Sequence, residues 1–174
     1  MRYRLLGNSG LRVSEVALGT MTFGEDWGWG SAKDEARKVY NAFREAGENF
    51  VDTANLYTNG TSEALLGEFM EGHRSSVALA TKYTNAPPGN DSNAGGNHRK
   101  SMFQAVEASL KRLRTDYIDL YWVHIWDQIT PVQDLDGLLE LAFLAQVDKL
   151  GADGQGGIGR GSSAAGHKRR DEVC

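Results

Sequence analysis

Four side chains with complementary chemistries follow short apolar runs of the sequence. Asp52, Lys82 and His124 stand at the ends of three such runs, and Tyr57 lies five residues beyond Asp52. If these runs are parallel strands, their carboxyl ends meet on one face of the sheet, where sites are built. A carboxylate, an ammonium, an imidazole and a phenol would then share one rim.

Such a group suits the donation of a proton to an oxygen atom. A phenol has a pKa of about 10, so by itself it is a weak acid at neutral pH. A neighbouring ammonium lowers that pKa by favouring the phenolate, and a carboxylate keeps the ammonium charged and oriented. An imidazole beside them can hydrogen-bond a carbonyl oxygen. The combination favours carbonyl reduction, in which the oxygen is protonated while its carbon receives a hydride.

Each residue also has a simpler explanation when it is considered alone. Asp52 could cap the following turn, Lys82 could be a solvated strand end, and Tyr57 and His124 could be ordinary packed residues. Their joint placement at strand ends favours the site. Because the only cysteine is Cys174, the last residue, no cysteine-built metal centre is expected, and an organic cofactor is the expected hydride source.

Apolar runs and helical stripes alternate along the chain. The predicted elements are a β-hairpin at residues 2–6 and 11–13, strands at 16–19, 50–51, 77–80 and 118–123, and helices at 33–46, 62–70 and 102–113. The strand at 16–19 is apolar and closed by a glycine, which is typical of a strand buried on both faces.

Repeated strand–helix units predict an α/β protein with a parallel sheet. Four units match either half of a (β/α)8 TIM barrel or a small doubly wound domain. No Gly-x-Gly-x-x-Gly fingerprint follows the first strand, which counts against the doubly wound alternative.

Two further features lie outside the regular elements. Residues 85–97 form a polar loop, and its length predicts a functional or mobile insertion. His73, His98 and His167 fit no motif and are expected at the surface.

Composition narrows the class of protein. The 174 residues are 40% hydrophobic and carry a formal charge of −4, which predicts one compact domain without the basic surface that nucleic acid requires. No apolar run approaches the roughly 20 residues of a membrane helix, and the start shows no signal-peptide core. A cytoplasmic protein without membrane insertion is therefore expected.

Several motifs, in order and correctly spaced, resemble the aldo-keto reductase family. They are LGTMTFG at residues 18–24, DTANLY at 52–57, GTSE at 60–63, ATK at 80–82 and DLYWVH at 119–124. The opening hairpin is similar to the one that closes the bottom of these barrels. The resemblance implies a (β/α)8 barrel that reduces aldehydes or ketones to alcohols with NADPH. It assigns Tyr57 as the general acid, Lys82 and Asp52 as its tuning pair, and His124 as the group that orients the carbonyl.

The same resemblance implies residues that contact the cofactor and the substrate. The cofactor would lie against Gly19, Thr20, Met21 and Asp52. Trp27 and Trp29, after the first strand, and Trp126, just past His124, are candidate walls of the substrate pocket. Alternatively, these tryptophans are aromatic anchors in ordinary surface loops.

The motifs end near Pro131. Residues 134–150 still have helical character but are apolar around most of the helix, and residues 151–174 contain seven glycines. We therefore expect the amino-terminal half of a barrel at residues 1–150 and a disordered tail at 151–174. A shifted reading frame, an altered splice or a natural short form would each explain this truncation.

A half barrel would leave two open strand edges, which predicts marginal stability and either dimerisation or aggregation. The resemblance implies that later strands of the barrel carry further cofactor contacts, so weak or absent affinity for NADPH is expected. The alternative function is a catalytically inactive fragment or an interaction module, similar to the reductase-like β subunits of potassium channels.

Overall fold

A computed structural model describes residues 2–86, 89 and 91–131, which contain a small hairpin, a four-stranded sheet and three α-helices. The predicted helix at 134–150 and the tail at 151–174 lie outside the described residues. The elements in chain order are β1 (Tyr3–Leu5), β2 (Arg12–Ser14), β3 (Ala17–Gly19), α1 (Lys33–Glu45), β4 (Phe50–Asp52), α2 (Thr61–Phe69), β5 (Ala78–Tyr83), α3 (Arg99–Leu113) and β6 (Leu120–Val123). Short 3-10 turns cover Tyr57–Gly60 and Arg74–Ser76.

The four-stranded sheet is entirely parallel, and its strands lie in the order β3-β4-β5-β6. Its register aligns Gly19 with Asp52, Asp52 with Ala80, and Lys82 with Trp122. Sequential parallel strands joined by helices are the arrangement predicted from the alternation of apolar runs and helical stripes. The carboxyl ends of all four strands therefore lie at one edge of the sheet.

One face of the sheet carries the core. Val51 and Leu79 are fully buried in a cluster that also contains Leu66, Phe69 and Tyr40 from the helices. Because strand side chains alternate between faces, the neighbouring residues Asp52 and Ala80 point the other way. The helices thus cover one face, while the opposite face carries the candidate site.

The prediction that the strand at residues 16–19 is buried on both faces was wrong. Ala17 and Gly19 of β3 are exposed, and Val16 just before the strand is 59% exposed. The physical reason is position, because β3 pairs only with β4 among the described residues and its inner face is open. A short apolar run carries no information about how many neighbours cover it.

The hairpin of β1 and β2 lies at the amino end of the sheet. Its strands are antiparallel, with Tyr3 opposite Ser14. Asn49, directly before β4, accepts a hydrogen bond from the Ser14 amide, and its own amide donates to the Ser14 hydroxyl. This exchange fixes the hairpin to the end of the sheet opposite the candidate site.

Two close contacts join α2 to α3. A Cβ built on Gly67 would lie 2.5 Å from the carbonyl oxygen of Arg112, so only glycine permits this approach of the helices. Glu63 is fully buried, and its carboxylate accepts hydrogen bonds from the Arg112 guanidinium at 2.7 Å and from the Thr81 hydroxyl at 2.6 Å. Sequence reasoning assigned no role to either contact.

Candidate active site

The ammonium of Lys82 is the centre of the site. Its Nζ donates to Asp52 Oδ2 at 2.6 Å, to the carbonyl oxygen of Thr53 at 2.7 Å and to the hydroxyl of Tyr57 at 3.2 Å. These three contacts match the three donors of an ammonium group. The structure therefore brings the predicted carboxylate, ammonium and phenol into direct contact.

The sheet register explains why Lys82 reaches Asp52. Asp52 pairs with Ala80, and Lys82 lies two residues farther along β5, on the same face of the sheet. The structure extends β5 to Tyr83, beyond the predicted end at residue 80. This extension holds the Lys82 backbone in the sheet, where β6 pairs with it through Trp122.

A strained turn fixes Tyr57. The two residues after it, Thr58 and Asn59, have positive φ angles of 45° and 55°, a conformation that non-glycine residues rarely adopt. The hydroxyl of Thr58 donates to the carbonyl oxygen of Phe23 at 2.6 Å and accepts from the amide of Ser62 at 3.1 Å. These bonds hold the turn in the conformation that presents the phenol to Lys82.

His124 completes the group from the end of β6. Its amide donates to the carbonyl oxygen of Tyr83 at 2.9 Å, and its ring meets the edge of Tyr57 with ring centroids 5.8 Å apart. Burial and the positive charge of Lys82 lower the pKa of His124, while Asp52 opposes them. This lowered pKa favours the neutral imidazole, which carries one ring proton.

An open cavity of about 550 Å³ lies over these residues. It is lined by Ala17, Gly19, Phe50, Asp52, Lys82, Trp122, Val123 and His124. A Cβ built on Gly19 would meet no atom within 4 Å, so this glycine faces open space. Trp122 is 44% exposed and presents an apolar surface on the same face.

The residues predicted to contact a cofactor occupy different environments. Gly19 and Asp52 line the cavity. Thr20 is fully buried, and its hydroxyl donates to the carbonyl oxygen of Asp52 at 3.1 Å and contacts the Ser62 hydroxyl at 2.9 Å. Met21 is exposed. The side chain of Thr20 thus supports the Asp52 backbone from the core side.

The three predicted substrate-binding tryptophans lie in loops. Trp27 and Trp29 contact each other with ring centroids 5.4 Å apart, and Trp29 is exposed. The indole nitrogen of Trp27 donates to Asn59 Oδ1 at 3.4 Å, which ties this pair to the turn that holds Tyr57. Trp126 is exposed, and its indole nitrogen donates to the carbonyl oxygen of Thr130 at 3.0 Å.

Two of the three histidines expected at the surface are half-buried instead. His73 accepts or donates a hydrogen bond at 2.9 Å with the hydroxyl of Tyr40, a core residue. His98 caps α3 by accepting from the amide of Ser101 at 3.3 Å. His167 lies outside the described residues.

Sequence reasoning missed two asparagines at the site. Asn55, in the DTANLY motif, donates its side-chain amide to the carbonyl oxygen of Asn85 at 2.9 Å. The side-chain nitrogen of Asn85 lies 3.4 Å from His124 Nδ1. The long polar loop that begins at Asn85 could have pointed to this residue, since loops beside a site often supply functional groups.

Within residues 2–86, 89 and 91–131, no group of three His, Cys, Asp or Glu residues is arranged to hold a metal ion. No helix in that part of the chain is long and apolar enough to cross a membrane.

Comparison with known proteins places the chain in a family. The model of the Aldo/keto reductase family matches residues 15–155, so the match continues past Pro131, where the recognisable motifs end. Norsolorinic acid reductase stcV from Emericella nidulans is 47% identical over 154 residues, which cover 82% of this chain and 40% of that protein. The aryl-alcohol dehydrogenase of Phanerodontia chrysosporium, whose name specifies NADP(+), is 40% identical over 166 residues, covering 86% of this chain and 43% of that protein.

The fold agrees with a solved structure of the same family. The aldo-keto reductase AKR11C1 from Bacillus halodurans, in its holo form, is 33% identical and superposes with a TM-score of 0.73, covering 84% of this chain and 48% of that one. The chain spans about 40% of the length of these two curated relatives. The predictions of family and fold are thereby confirmed: the chain belongs to the aldo/keto reductase family and corresponds to roughly half of its (β/α)8 barrel.

Proposed function

We propose that this site reduces aldehydes or ketones to alcohols with NADPH, with Tyr57 as the proton donor. The observation that carries the proposal is the position of the Lys82 ammonium, which contacts both the Asp52 carboxylate and the Tyr57 hydroxyl. A lysine paired with a carboxylate alone would be an ordinary ion pair. The hydroxyl of Tyr57, as the third member, adds a group that can donate a proton.

The chemistry of Tyr57 follows from its neighbours. As its proton moves to a carbonyl oxygen, negative charge develops on the phenol oxygen, 3.2 Å from the ammonium of Lys82. The ammonium stabilises this charge in a partly desolvated site, where electrostatic interactions are stronger than in water. The Asp52 carboxylate accepts a hydrogen bond from Lys82 Nζ at 2.6 Å and holds the ammonium in place.

His124 supplies orientation. A neutral imidazole has one N–H, which can donate a hydrogen bond to the same carbonyl oxygen that receives the Tyr57 proton. The rings of Tyr57 and His124 meet edge to face with their centroids 5.8 Å apart, so both side chains lie at the same part of the site. This arrangement selects a substrate whose carbonyl oxygen enters between them.

The residues present fit a nicotinamide cofactor, which when bound supplies the hydride for the carbonyl carbon. Because Gly19 has no side chain, the cavity is open at this position, and a flat nicotinamide ring needs such an open space. Gly19, Met21 and Asp52 would hold the cofactor, and Thr20 would act beneath them through its bond to the Asp52 carbonyl oxygen.

Aromatic aldehydes are the substrates to test first. Trp27 and Trp29 contact each other with their rings tilted by 45° and are tied through Asn59 to the Tyr57 turn, and Trp126 lies two residues after His124. Exposed indole faces suit contact with an aromatic ring. In this proposal all three tryptophans form walls of the substrate pocket.

A specific observation also favours self-association as a second role. Trp122 is exposed on the inner face of the sheet, Val16 is exposed just before β3, and in the described residues β3 and β6 each pair with one neighbour only. Exposed strand edges can pair with another chain. Sedimentation of the purified chain at several concentrations would show whether it forms dimers.

The experiment that tests the enzymatic proposal combines binding and turnover. NADPH is titrated while energy transfer from tryptophan to bound nicotinamide is followed, and reduction of an aromatic aldehyde is then assayed. Tyr57→Phe is expected to keep binding and lower the rate by about 10²–10⁴-fold. Tyr117→Phe is the matched control, because Tyr117 lies at the opposite end of the sheet against Arg74 and should leave the rate unchanged. A folded chain without saturable NADPH binding would favour the inactive interaction module.

A further inference from the structure

The ring of His124 has a defined neighbour on one of its two nitrogens. The side-chain nitrogen of Asn85 lies 3.4 Å from His124 Nδ1. An amide nitrogen carries hydrogens and only donates, so in this orientation of the Asn85 side chain Nδ1 is the acceptor. The single proton of the neutral ring then resides on Nε2, which has no hydrogen-bond partner among the described residues.

We propose that Asn85 is a positioning residue that holds His124 in the tautomer protonated on Nε2, the nitrogen available to a substrate carbonyl. The consequence for reduction rests on the proposed function, but the tautomer itself is a property of this chain alone. With the opposite tautomer, Nε2 would present a lone pair to the carbonyl oxygen and repel it.

The position of Asn85 is fixed through Asn55. The side-chain nitrogen of Asn55 donates to the carbonyl oxygen of Asn85 at 2.9 Å, and the amide of Asn55 donates to the carbonyl oxygen of Lys82 at 3.0 Å. A carbonyl oxygen only accepts hydrogen bonds, so the side-chain amide of Asn55 cannot be turned by 180° without losing its bond to the Asn85 carbonyl oxygen. The loop that carries Asn85 is thus tied to the strand ends that carry Asp52 and Lys82.

The residue before Asn85 has an unusual backbone. Thr84 has a φ angle of 112°, which a β-branched residue adopts only when its surroundings enforce it. Its carbonyl oxygen accepts from the amide of Gly96 at 2.8 Å, and its hydroxyl accepts from the side chain of Asn97 at 2.7 Å. These contacts turn the chain sharply after β5, and Asn85 is the first residue beyond the turn.

The charges around the ring make the location of its proton important. Lys82 and Asp52 have opposite effects on the pKa of His124, and the ring of Tyr57 lies edge to face with the imidazole. Burial and the charge of Lys82 outweigh Asp52 and lower the pKa of His124, which favours the neutral ring. A neutral ring has only one proton, and the contact with Asn85 decides which nitrogen carries it.

The test uses the full chain, labelled with 15N and without added cofactor. Two-bond proton–nitrogen correlation spectra identify the tautomer of each histidine, and His124→Gln identifies the signal of His124 by its loss. The unmodified chain is expected to show Nε2 protonated. Asn85→Asp replaces the donor by an acceptor, so we expect Nδ1 to become protonated and the pKa of His124 to rise by about 1–3 pH units.

Asn93→Asp is the matched control. Asn93 is exposed in the same loop, and the substitution adds the same charge without contacting His124. It is expected to leave the tautomer of His124 unchanged. If Asn85→Asp does not fold, Asn85→Ala serves instead, and the Nδ1-protonated form should then appear as a minor species.

Two results would overturn the proposal. One is a Nδ1-protonated His124 in the unmodified chain, and the other is an unchanged tautomer in a folded Asn85→Asp variant. Because no cofactor is added, failure here is distinct from failure of the proposed function. An inactive chain whose His124 is protonated on Nε2, and changes tautomer in Asn85→Asp, would contradict carbonyl reduction and still support the role of Asn85.

Discussion

Asn97 and Asp127 exchange hydrogen bonds, each donating its backbone amide to the side chain of the other at 2.7 Å. The side-chain nitrogen of Asn97 also donates to the Thr84 hydroxyl at 2.7 Å and to the carbonyl oxygen of Ile125 at 3.0 Å. This exchange joins the loop after β5 to the loop after β6. It therefore fixes the two segments that carry Asn85 and Trp126 beside His124.

Removing the side chain of Asn97 should destabilise the chain. Asn97 is fully buried, and Asn97→Ala leaves the amide of Asp127, the hydroxyl of Thr84 and a backbone carbonyl without partners. We expect the free energy of unfolding to fall by about 2–4 kcal/mol. Urea unfolding measures this loss, and the exposed Asn93→Ala should change the free energy by no more than about 0.5 kcal/mol. Equal effects of the two substitutions would contradict the role of the exchange.

Stability should fall in acid because of Asp127. Burial raises the pKa of Asp127, but hydrogen bonds from the amides of Asn97, Thr130 and Ile129 and from the Thr130 hydroxyl outweigh it and hold the pKa well below its usual range. The unfolded chain has a pKa of about 3.9 at this group, so it takes up a proton before the folded chain does. The stabilisation is therefore complete above about pH 5 and decreases as pH falls through the unfolded pKa toward the folded one.

Asp127→Asn isolates this contribution. We expect the difference in unfolding free energy between the unmodified chain and the variant to be constant from about pH 5 to 7 and to shrink below pH 4. Urea unfolding over that pH range measures it. A difference that stays the same down to pH 3 would show that the ionised carboxylate of Asp127 does not stabilise the fold.

Two glycines should separate stability from cofactor binding. A Cβ on Gly67 would meet the backbone of Arg112 at 2.5 Å, whereas a Cβ on Gly19 would meet nothing within 4 Å. Gly67→Ala is therefore expected to destabilise the chain by about 1–3 kcal/mol through overpacking. Gly19→Ala should leave the free energy of unfolding unchanged within about 0.5 kcal/mol. It should nevertheless weaken NADPH binding, because its methyl group enters the cavity, and the titration described above measures that loss.

The buried ion pair between Glu63 and Arg112 predicts a large effect of substituting the arginine. Arg112→Met leaves the fully buried carboxylate of Glu63 without its cation, which should cost about 3–5 kcal/mol of stability. Arg114→Met is the control, because Arg114 is exposed and its nitrogen lies 3.8 Å from Glu68. Exposed pairs contribute about 0–1 kcal/mol. Thermal unfolding of both variants compares them, and a similar loss in each would mean that Glu63 does not depend on Arg112.

The sequence predicted which candidate side chains lie close together better than it predicted their surroundings. Asp52, Lys82 and His124 could be placed because strand ends are visible as breaks in apolar runs, and parallel strands bring those ends together. The contact of Lys82 with Tyr57 depends further on the left-handed pair Thr58 and Asn59. The residue types at these two positions do not predict a left-handed conformation, since threonine and asparagine also occur in ordinary turns.

Burial was the less predictable property. Glu63 is a charged residue in a helix, and its complete burial follows from Arg112, which lies 49 residues away in the chain. Val16 is apolar, and its exposure follows from the edge position of β3. The burial of Glu63 and the exposure of Val16 both depend on which elements pack against each other. Hydrophobic periodicity within one element does not predict those contacts.

The strands of the sheet have the same order in space as in the chain, and this has a consequence for synthesis on the ribosome. Each new strand pairs with the one made just before it, and only 30 residues separate Asp52 from Lys82. Chains fold from the amino terminus as they emerge, and short loops close at low entropic cost. The carboxylate, phenol and ammonium can thus assemble on the nascent chain before His124 has been translated. The part of the site built from Asp52, Tyr57 and Lys82 can therefore form first, and the imidazole of His124 is added to it last.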